Sequence, residues 1–193
     1  MKAIALFLTI VSLLHAQEVP PRSVPAGYIL QILEPLGGKI VRPKEWFYTQ
    51  NATSAGYNWV ISKEDSKIKP YETGLRIQLF AKVKTGAGIA PKAFVARFVD
   101  EKTRAIRVTH TFPETTQGIF KRRGVEGEEK IDGRLFHIVY SGFWSDASDL
   151  AVMTIFGAPV EKWDQVADVH SRMSSFELID MSRFENKPSE PTR

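Results

Sequence analysis

The chain has 193 residues, of which 43% are hydrophobic and 25% are charged, and its formal net charge is +4. These values are typical of one globular domain with a sizeable core, and they exclude collagen, coiled coil and disorder of the whole chain. Because the sequence contains no cysteine, disulfide frameworks, thiol nucleophiles, thiolate zinc sites and cysteine lipidation are excluded as well.

Residues 1–16 have the pattern of a secretory signal peptide. Lys2 provides a positive start, Ala3–Leu14 is apolar but too short to span a bilayer, and Ala16 precedes the expected cleavage point. A proline-rich leader follows over residues 17–27. We expect an exported protein, periplasmic or extracellular, that is soluble after cleavage and has no stable membrane insertion. Export and the interspersed charges argue against a nucleic-acid partner.

Residues 28–185 are predicted to form a single α+β domain. The most regular strand pattern is Leu75–Val83, where apolar residues alternate with mainly polar ones. Glycine, aspartate and serine turns between the patterns favour an antiparallel sheet. The other predicted strands are Tyr28–Leu33, Lys39–Arg42, Tyr57–Ser62, Ala105–Phe112, Leu135–Ser141 and Leu150–Phe156.

Two helices interrupt the predicted strands. Pro91–Arg104 begins with a proline and carries an apolar stripe. A second helix is predicted from Val160 to Phe176, where apolar residues recur at steps of three and four. The tail at residues 186–193 contains two prolines and no apolar anchor, so we expect it to be disordered.

The sequence contains few candidates for catalysis or metal binding. After removal of the signal, the histidines are His110, His137 and His170, and each lies within a predicted strand or helix stripe where core packing explains it. Asp146 and Asp149 form a compact acidic pair, but turn residues explain them better than a metal does. We therefore predict no catalytic residue, no metal ligand and no cofactor.

Aromatic residues are enriched at the ends of predicted strands. Trp46, Tyr48, Trp59, Phe143 and Trp144 are candidates for an exposed aromatic binding surface, and packing in the core and at its rim is the alternative.

A basic run provides three further binding candidates. Lys121, Arg122 and Arg123 open a segment at residues 121–130 that continues with acidic residues. We predict that this segment is an exposed, mobile loop. The functional alternative is that it binds an anionic partner.

The order of these elements resembles the PsbP/Mog1 superfamily, including its exported bacterial members similar to the lipoprotein DcrB. The matching features are the segment Gly38–Trp46 with its Pro-x-x-Trp motif, the strand from Leu75, the middle helix, and the last helix ending at Ser174-Ser175-Phe176. The resemblance covers residues 28–182. It implies an α/β/α sandwich with a central, mainly antiparallel sheet of about six strands and a C-terminal helix packed on it. Members of the superfamily mostly act in binding, assembly or as chaperones, and they share no common set of catalytic residues.

We therefore expect an exported, non-enzymatic binding or assembly protein of the chaperone type. It would engage a protein or peptide partner in the cell envelope through the aromatic surface, and a homodimer through the same surface is an alternative. Two other functions stay open. One is a small-molecule carrier with a closed apolar cavity between the sheet and the last helix, and the other is a hydrolase that uses Asp146, Asp149 or Glu114 with a neighbouring histidine.

Overall fold

The computed structural model describes residues 24–185 of the chain. The predicted signal peptide and C-terminal tail lie outside the described residues, as does the predicted leader up to residue 23. Within the described part, no helix is long and apolar enough to cross a membrane.

Within residues 24–185 the chain forms ten strands and four helices, and a 3-10 turn at Val160–Lys162 leads into the third helix. The strands are β1 (Tyr28–Leu33), β2 (Gly37–Pro43), β3 (Phe47–Thr53), β4 (Gly56–Ser62), β5 (Gly74–Ala81), β6 (Arg107–Gln117), β7 (Phe120–Ile131), β8 (Arg134–Ser145), β9 (Leu150–Pro159) and β10 (Glu177–Ile179). The helices are α1 (Val83–Ala87), α2 (Pro91–Ala105), α3 (Trp163–Met173) and α4 (Ser182–Glu185).

Seven of the strands form one antiparallel sheet in the order β3-β4-β5-β9-β8-β7-β6, and β1, β2 and β10 form a second, smaller sheet. The α+β class and the antiparallel sheet are confirmed. The main sheet has seven strands instead of about six. It includes β3 and β7, which the sequence patterns did not indicate, whereas the predicted strands at β1 and β2 belong to the small sheet.

The prediction of a mobile loop at residues 121–130 is wrong. This segment belongs to β7, which pairs with β8 on one side and β6 on the other. Two glycines permit the close approach of neighbouring backbones: a Cβ atom at Gly124 would lie 2.5 Å from the Tyr140 carbonyl oxygen, and one at Gly127 would lie 2.4 Å from that of Arg107. The buried positions of the strand are Phe120, Gly124, Val125 and Gly127, and the charged residues between them are half-buried or exposed.

The main sheet is covered on both faces, which we call the α2 face and the α3 face. On the α2 face, Ile138 and Tyr140 of β8 pack with Val95 and Val99 of α2. On the α3 face, the buried cluster joins residues of the main sheet to α3 and the small sheet. The predicted packing of a C-terminal helix on the sheet is confirmed, and the three-stranded sheet beside α3 is an addition to the predicted sandwich.

Candidate functional site

The five aromatic residues do not form an exposed surface. Trp59 is 0% exposed and Trp144 is 1% exposed, while Phe143 and Trp46 are also buried and Tyr48 is half-buried. Trp144 lies on the α2 face, and the other four lie on the α3 side of the core. The prediction of an exposed aromatic surface is therefore wrong, and core packing accounts for these rings. Alternation along the strands directs four of them to opposite faces of the sheet, and Trp46, which lies in the bend before β3, stacks on Phe156.

The basic run is also divided between the two faces of the sheet. Lys121 and Arg123 point to the α2 face, where Lys121 Nζ lies 3.6 Å from Glu114 and Arg123 donates to Asp100 at 2.8 Å. Arg122 points to the α3 face, where burial lowers the pKa of its guanidinium. The three side chains thus do not combine into one patch for an anionic partner, because consecutive strand residues face opposite sides.

The carboxylates of the hydrolase alternative contact backbone amides or lysines. Asp146 accepts a hydrogen bond from the Lys92 amide at 3.3 Å, and Asp149 accepts one from the Lys84 amide at 2.9 Å. Glu114 pairs with Lys92 and Lys121 through their ammonium groups. Within residues 24–185, none of the three forms a hydrogen bond or ion pair with a histidine. The expected turn at Asp146 and Asp149 is confirmed, since it joins β8 to β9.

The sequence analysis missed an acid–histidine pair beneath α3. Glu126 Oε1 lies 2.6 Å from His137 Nε2, and the His137 ring stacks on Trp163 with centroids 3.7 Å apart. The His170 ring also lies near Trp163, with centroids 5.7 Å apart, and burial lowers the pKa of His170 to about 4. Helix α3 covers this cluster in part, and the four residues of the cluster are all half-buried.

The space between the main sheet and α3 does not accommodate a small-molecule ligand. The cavity there has a volume of about 10 Å³ and is bordered by Arg122, His170 and Ser174. That volume suits one water molecule. The closed apolar cavity expected for the carrier alternative is therefore absent from this position among the described residues.

A groove lined by apolar side chains lies at one end of the molecule, and we call it the end groove. It consists of two adjoining hollows of about 300 and 290 Å³, which share Ile119, Ile179 and Met181. Ile119 is 43% exposed and Met181 is 42% exposed. The first hollow also contains Phe120, Phe143 and Phe176, and the second contains Leu36, Tyr57, Leu79 and Leu150.

The β6–β7 turn and β10 form the walls of the end groove. Gly118 adopts a φ of +59°, a conformation that favours glycine, and it places Ile119 at the tip of the turn. The Gln117 side chain donates a hydrogen bond to the Phe176 carbonyl at 3.0 Å, which ties this turn to the segment before β10. The groove is thus built from two segments that are held together by a tertiary hydrogen bond.

Sequence reasoning found one residue of this site. Phe143 lines the first hollow from its buried floor, whereas Ile119 and Met181 were not predicted. A single isoleucine after a glycine in a turn is the only local signal for Ile119, and isolated exposed apolar residues are common on protein surfaces.

No protein-family model matches the sequence, and no curated protein matches it. Among solved structures, the chain is similar to LpqN of Mycobacterium tuberculosis, described as involved in cell envelope biogenesis, with 10% identity, a TM-score of 0.49, and coverage of 79% of this chain and 91% of that chain. It is also similar to the cyanobacterial PsbP protein CyanoP from Synechocystis, with 11% identity, a TM-score of 0.47, and coverage of 80% and 94%. The Ran-binding protein Mog1p of Saccharomyces cerevisiae gives 13% identity, a TM-score of 0.48, and coverage of 80% and 97%. The resemblance of the chain to PsbP- and Mog1-like proteins is one of fold.

Proposed function

We propose that the protein is an exported, non-enzymatic binding or assembly protein that holds an extended apolar segment of a protein partner in the end groove. In this proposal it works in the periplasm or outside the cell, as a chaperone-type relative of the DcrB-like members of the PsbP/Mog1 superfamily. The observation that carries the proposal is the exposure of Ile119 and Met181 above two hollows with apolar walls.

Burial of apolar side chains in the end groove would supply binding energy. Removing apolar surface from water contributes about 25 cal/mol per Å², so a leucine or phenylalanine side chain that fills a hollow contributes about 2–3 kcal/mol. Two such anchors at neighbouring hollows contribute about 4–6 kcal/mol, which is less than the roughly 8 kcal/mol of micromolar binding. Tight binding therefore also requires backbone hydrogen bonds between the partner segment and the groove.

The position of β10 favours a peptide over a lipid chain as the occupant. β10 lines the first hollow along its whole length, and within the described chain it is the edge strand of the small sheet with β2 as its one partner. Edge strands present unpaired N–H and C=O groups. A partner segment added beside β10 would form backbone hydrogen bonds there and would direct alternate side chains into the hollows.

The test uses a fluorescently labelled ten-residue peptide of alternating leucine and threonine, with binding measured by fluorescence anisotropy. We expect Ile119→Glu and Met181→Glu each to weaken binding at least tenfold, because the peptide would bury an unpaired carboxylate. Val108→Glu is the matched control, since Val108 is 40% exposed at the opposite end of β6. Equal losses in the control and the groove variants would contradict the proposed site.

Three further measurements test the mode of binding and the absence of turnover. A peptide methylated on alternate backbone nitrogens cannot donate hydrogen bonds to an edge strand, so we expect it to bind at least tenfold more weakly. Equal binding of the methylated peptide would contradict strand addition, and tight binding of a fatty acid in place of any peptide would favour a lipid carrier. Mass spectrometry of the incubated peptide tests the absence of turnover, because a cleaved peptide would contradict a non-enzymatic role.

A further inference from the structure

A second pocket lies on the α2 face, away from the end groove. Its volume is about 520 Å³. Helix α2 packs mainly over β7, β8 and β9 and contacts Phe80 near the end of β5 through Phe94. The part of this face formed by β3, β4 and the first half of β5 is open. The loop at residues 63–73 forms one wall of the pocket through Ser66, Pro70, Tyr71 and Glu72.

Arg76 on β5 lies at the floor of this pocket without a partner. Its Nε atom is buried and has no hydrogen-bond acceptor, and the guanidinium forms no ion pair or side-chain hydrogen bond with any residue in the range 24–185. The carboxylate on the pocket wall, Glu72, is already bound by Arg134 and by Lys162. A buried donor without an acceptor is uncommon in folded proteins, and a cationic donor prefers an anionic acceptor.

Asn58 presents the complementary group beside Arg76. Its Oδ1 atom is buried without a donor, while its Nδ2 atom donates to Asn51 Oδ1 at 3.2 Å. Arg76 is opposite Val60 in the β4–β5 ladder, and Asn58 lies two residues from Val60 on the same face of β4. At the floor of the pocket, the Arg76 guanidinium therefore has a buried N–H without an acceptor, and the nearby Asn58 Oδ1 is a buried acceptor without a donor.

An apolar wall completes the pocket. Val60, Ile138 and Ile155 face it from β4, β8 and β9, and Phe136 lies beside them. Pockets that bind small ligands combine this kind of apolar wall with a few convergent polar groups, and they have volumes of roughly 300–1,000 Å³.

We propose that this pocket binds a carboxylate that follows an amide N–H and an apolar side chain. The carboxylate accepts hydrogen bonds from Arg76, the amide N–H donates to Asn58 Oδ1, and the apolar side chain packs on Val60, Ile138 and Ile155. A free N-acyl amino acid and the C-terminus of a polypeptide both have this chemistry. The inference is independent of the function proposed for the end groove.

Isothermal titration calorimetry with the full protein tests the proposal, using N-acetylphenylalanine and its C-terminal amide as probes. We expect the acid to bind at least tenfold more tightly than the amide. Arg76→Gln is expected to remove this preference, whereas Arg97→Gln, which deletes one charge at an exposed position on α2, leaves it unchanged. Circular dichroism verifies the fold of each variant.

A longer peptide and a second variant identify the source of the carboxylate and test the role of Asn58. The affinity of an acetylated hexapeptide that ends in phenylalanine is compared with that of N-acetylphenylalanine. Tenfold tighter binding of the hexapeptide indicates that the ligand is a polypeptide C-terminus, and equal affinities indicate a free N-acyl amino acid. Asn58→Leu is expected to weaken binding of the acid at least fivefold and supplies a second test if Arg76→Gln does not fold. Equal binding of acid and amide by the unmodified protein, no detectable binding of either, or equal losses in Arg76→Gln and Arg97→Gln would overturn the proposal.

Discussion

Trp59 and Trp144 are two fully buried tryptophans that differ in the hydrogen bonding of their indole N–H groups. Trp59 Nε1 donates to the Glu34 carbonyl at 2.9 Å. Trp144 Nε1 is equally buried but has no acceptor in the described part of the chain. Replacement of each tryptophan by phenylalanine removes the N–H group and keeps an aromatic ring, so the pair of variants measures the contribution of this one hydrogen bond.

The expected difference follows from packing and hydrogen bonding. Each substitution deletes roughly 40 Å³ of buried volume, which costs about 1–2 kcal/mol as lost transfer energy and cavity. Trp59→Phe also loses a hydrogen bond and is expected to cost about 2–3 kcal/mol in all. Trp144→Phe removes a buried donor that lacks an acceptor, which returns about 1–3 kcal/mol and leaves the free energy of unfolding nearly unchanged.

Urea unfolding followed by far-ultraviolet circular dichroism measures both variants. With a slope of about 2 kcal/mol per molar urea, a difference of about 2 kcal/mol separates the two midpoints by about 1 M. Midpoints that shift equally, or a larger loss in Trp144→Phe, would refute the reasoning, because the two sites would then differ by something other than the satisfied N–H group.

Two further predictions concern the faces of the main sheet. As the pH falls from 7 to 4, the unmodified protein is expected to lose about 1–3 kcal/mol more stability than His170→Gln. Burial lowers the pKa of His170 from 6.5 to about 4, so in this pH window the unfolded chain binds a proton that the folded chain excludes. Urea titrations at several pH values measure the free energy of unfolding of both proteins, and an equal dependence on pH in the two would contradict the prediction. Gly142→Ala is expected to cost about 1–3 kcal/mol because its Cβ would lie 2.3 Å from Val95 Cγ1. Gly86→Ala, in open space on α1, is expected to be neutral or to stabilise by up to about 1 kcal/mol, and similar unfolding midpoints for the two alanine variants would contradict the close packing of α2.

Local sequence patterns predicted the elements whose ends and apolar stripes are set by neighbouring residues in the chain. Helix α2 extends from Pro91 to Ala105, one residue beyond the prediction, because its proline start and apolar stripe are local features. The predicted strand from Leu75 to Val83 ends at Ala81 instead, because Lys82 adopts a left-handed φ of 55° and α1 follows. That reversal depends on a backbone conformation that the apolar alternation does not encode.

The missed strand β7 shows where composition misleads. Charged residues and glycines are typical of loops, yet Gly124 and Gly127 are required here by the close approach of neighbouring strands. Its edge neighbour β6 is mostly exposed, so neither strand carries the alternation of a half-buried sheet over its full length. Pairing with β8 decides the structure of the segment, and that pairing is a tertiary contact.

The candidate sites could not be predicted from local patterns, because each joins residues from distant parts of the chain. Ile119 and Met181 meet only after the β6–β7 turn is tied to the segment that precedes β10. The aromatic residues were recognisable as a group, but a sequence pattern does not tell which of two covered faces receives a ring. Their number reflects the size of the core on both faces, so their clustering in the sequence is not evidence for a surface.

Strand β5 contributes to both candidate sites and separates them. Leu79 lines the second hollow of the end groove, whereas Arg76 lies at the floor of the pocket on the α2 face, which is the opposite face of the sheet. Sites on opposite faces without shared partners act independently to within a few tenths of a kcal/mol. A variant of one site that also impaired binding at the other would therefore report a distorted sheet. Binding that changes at one site alone would report contact with the ligand, and the two proposals can be accepted or rejected separately.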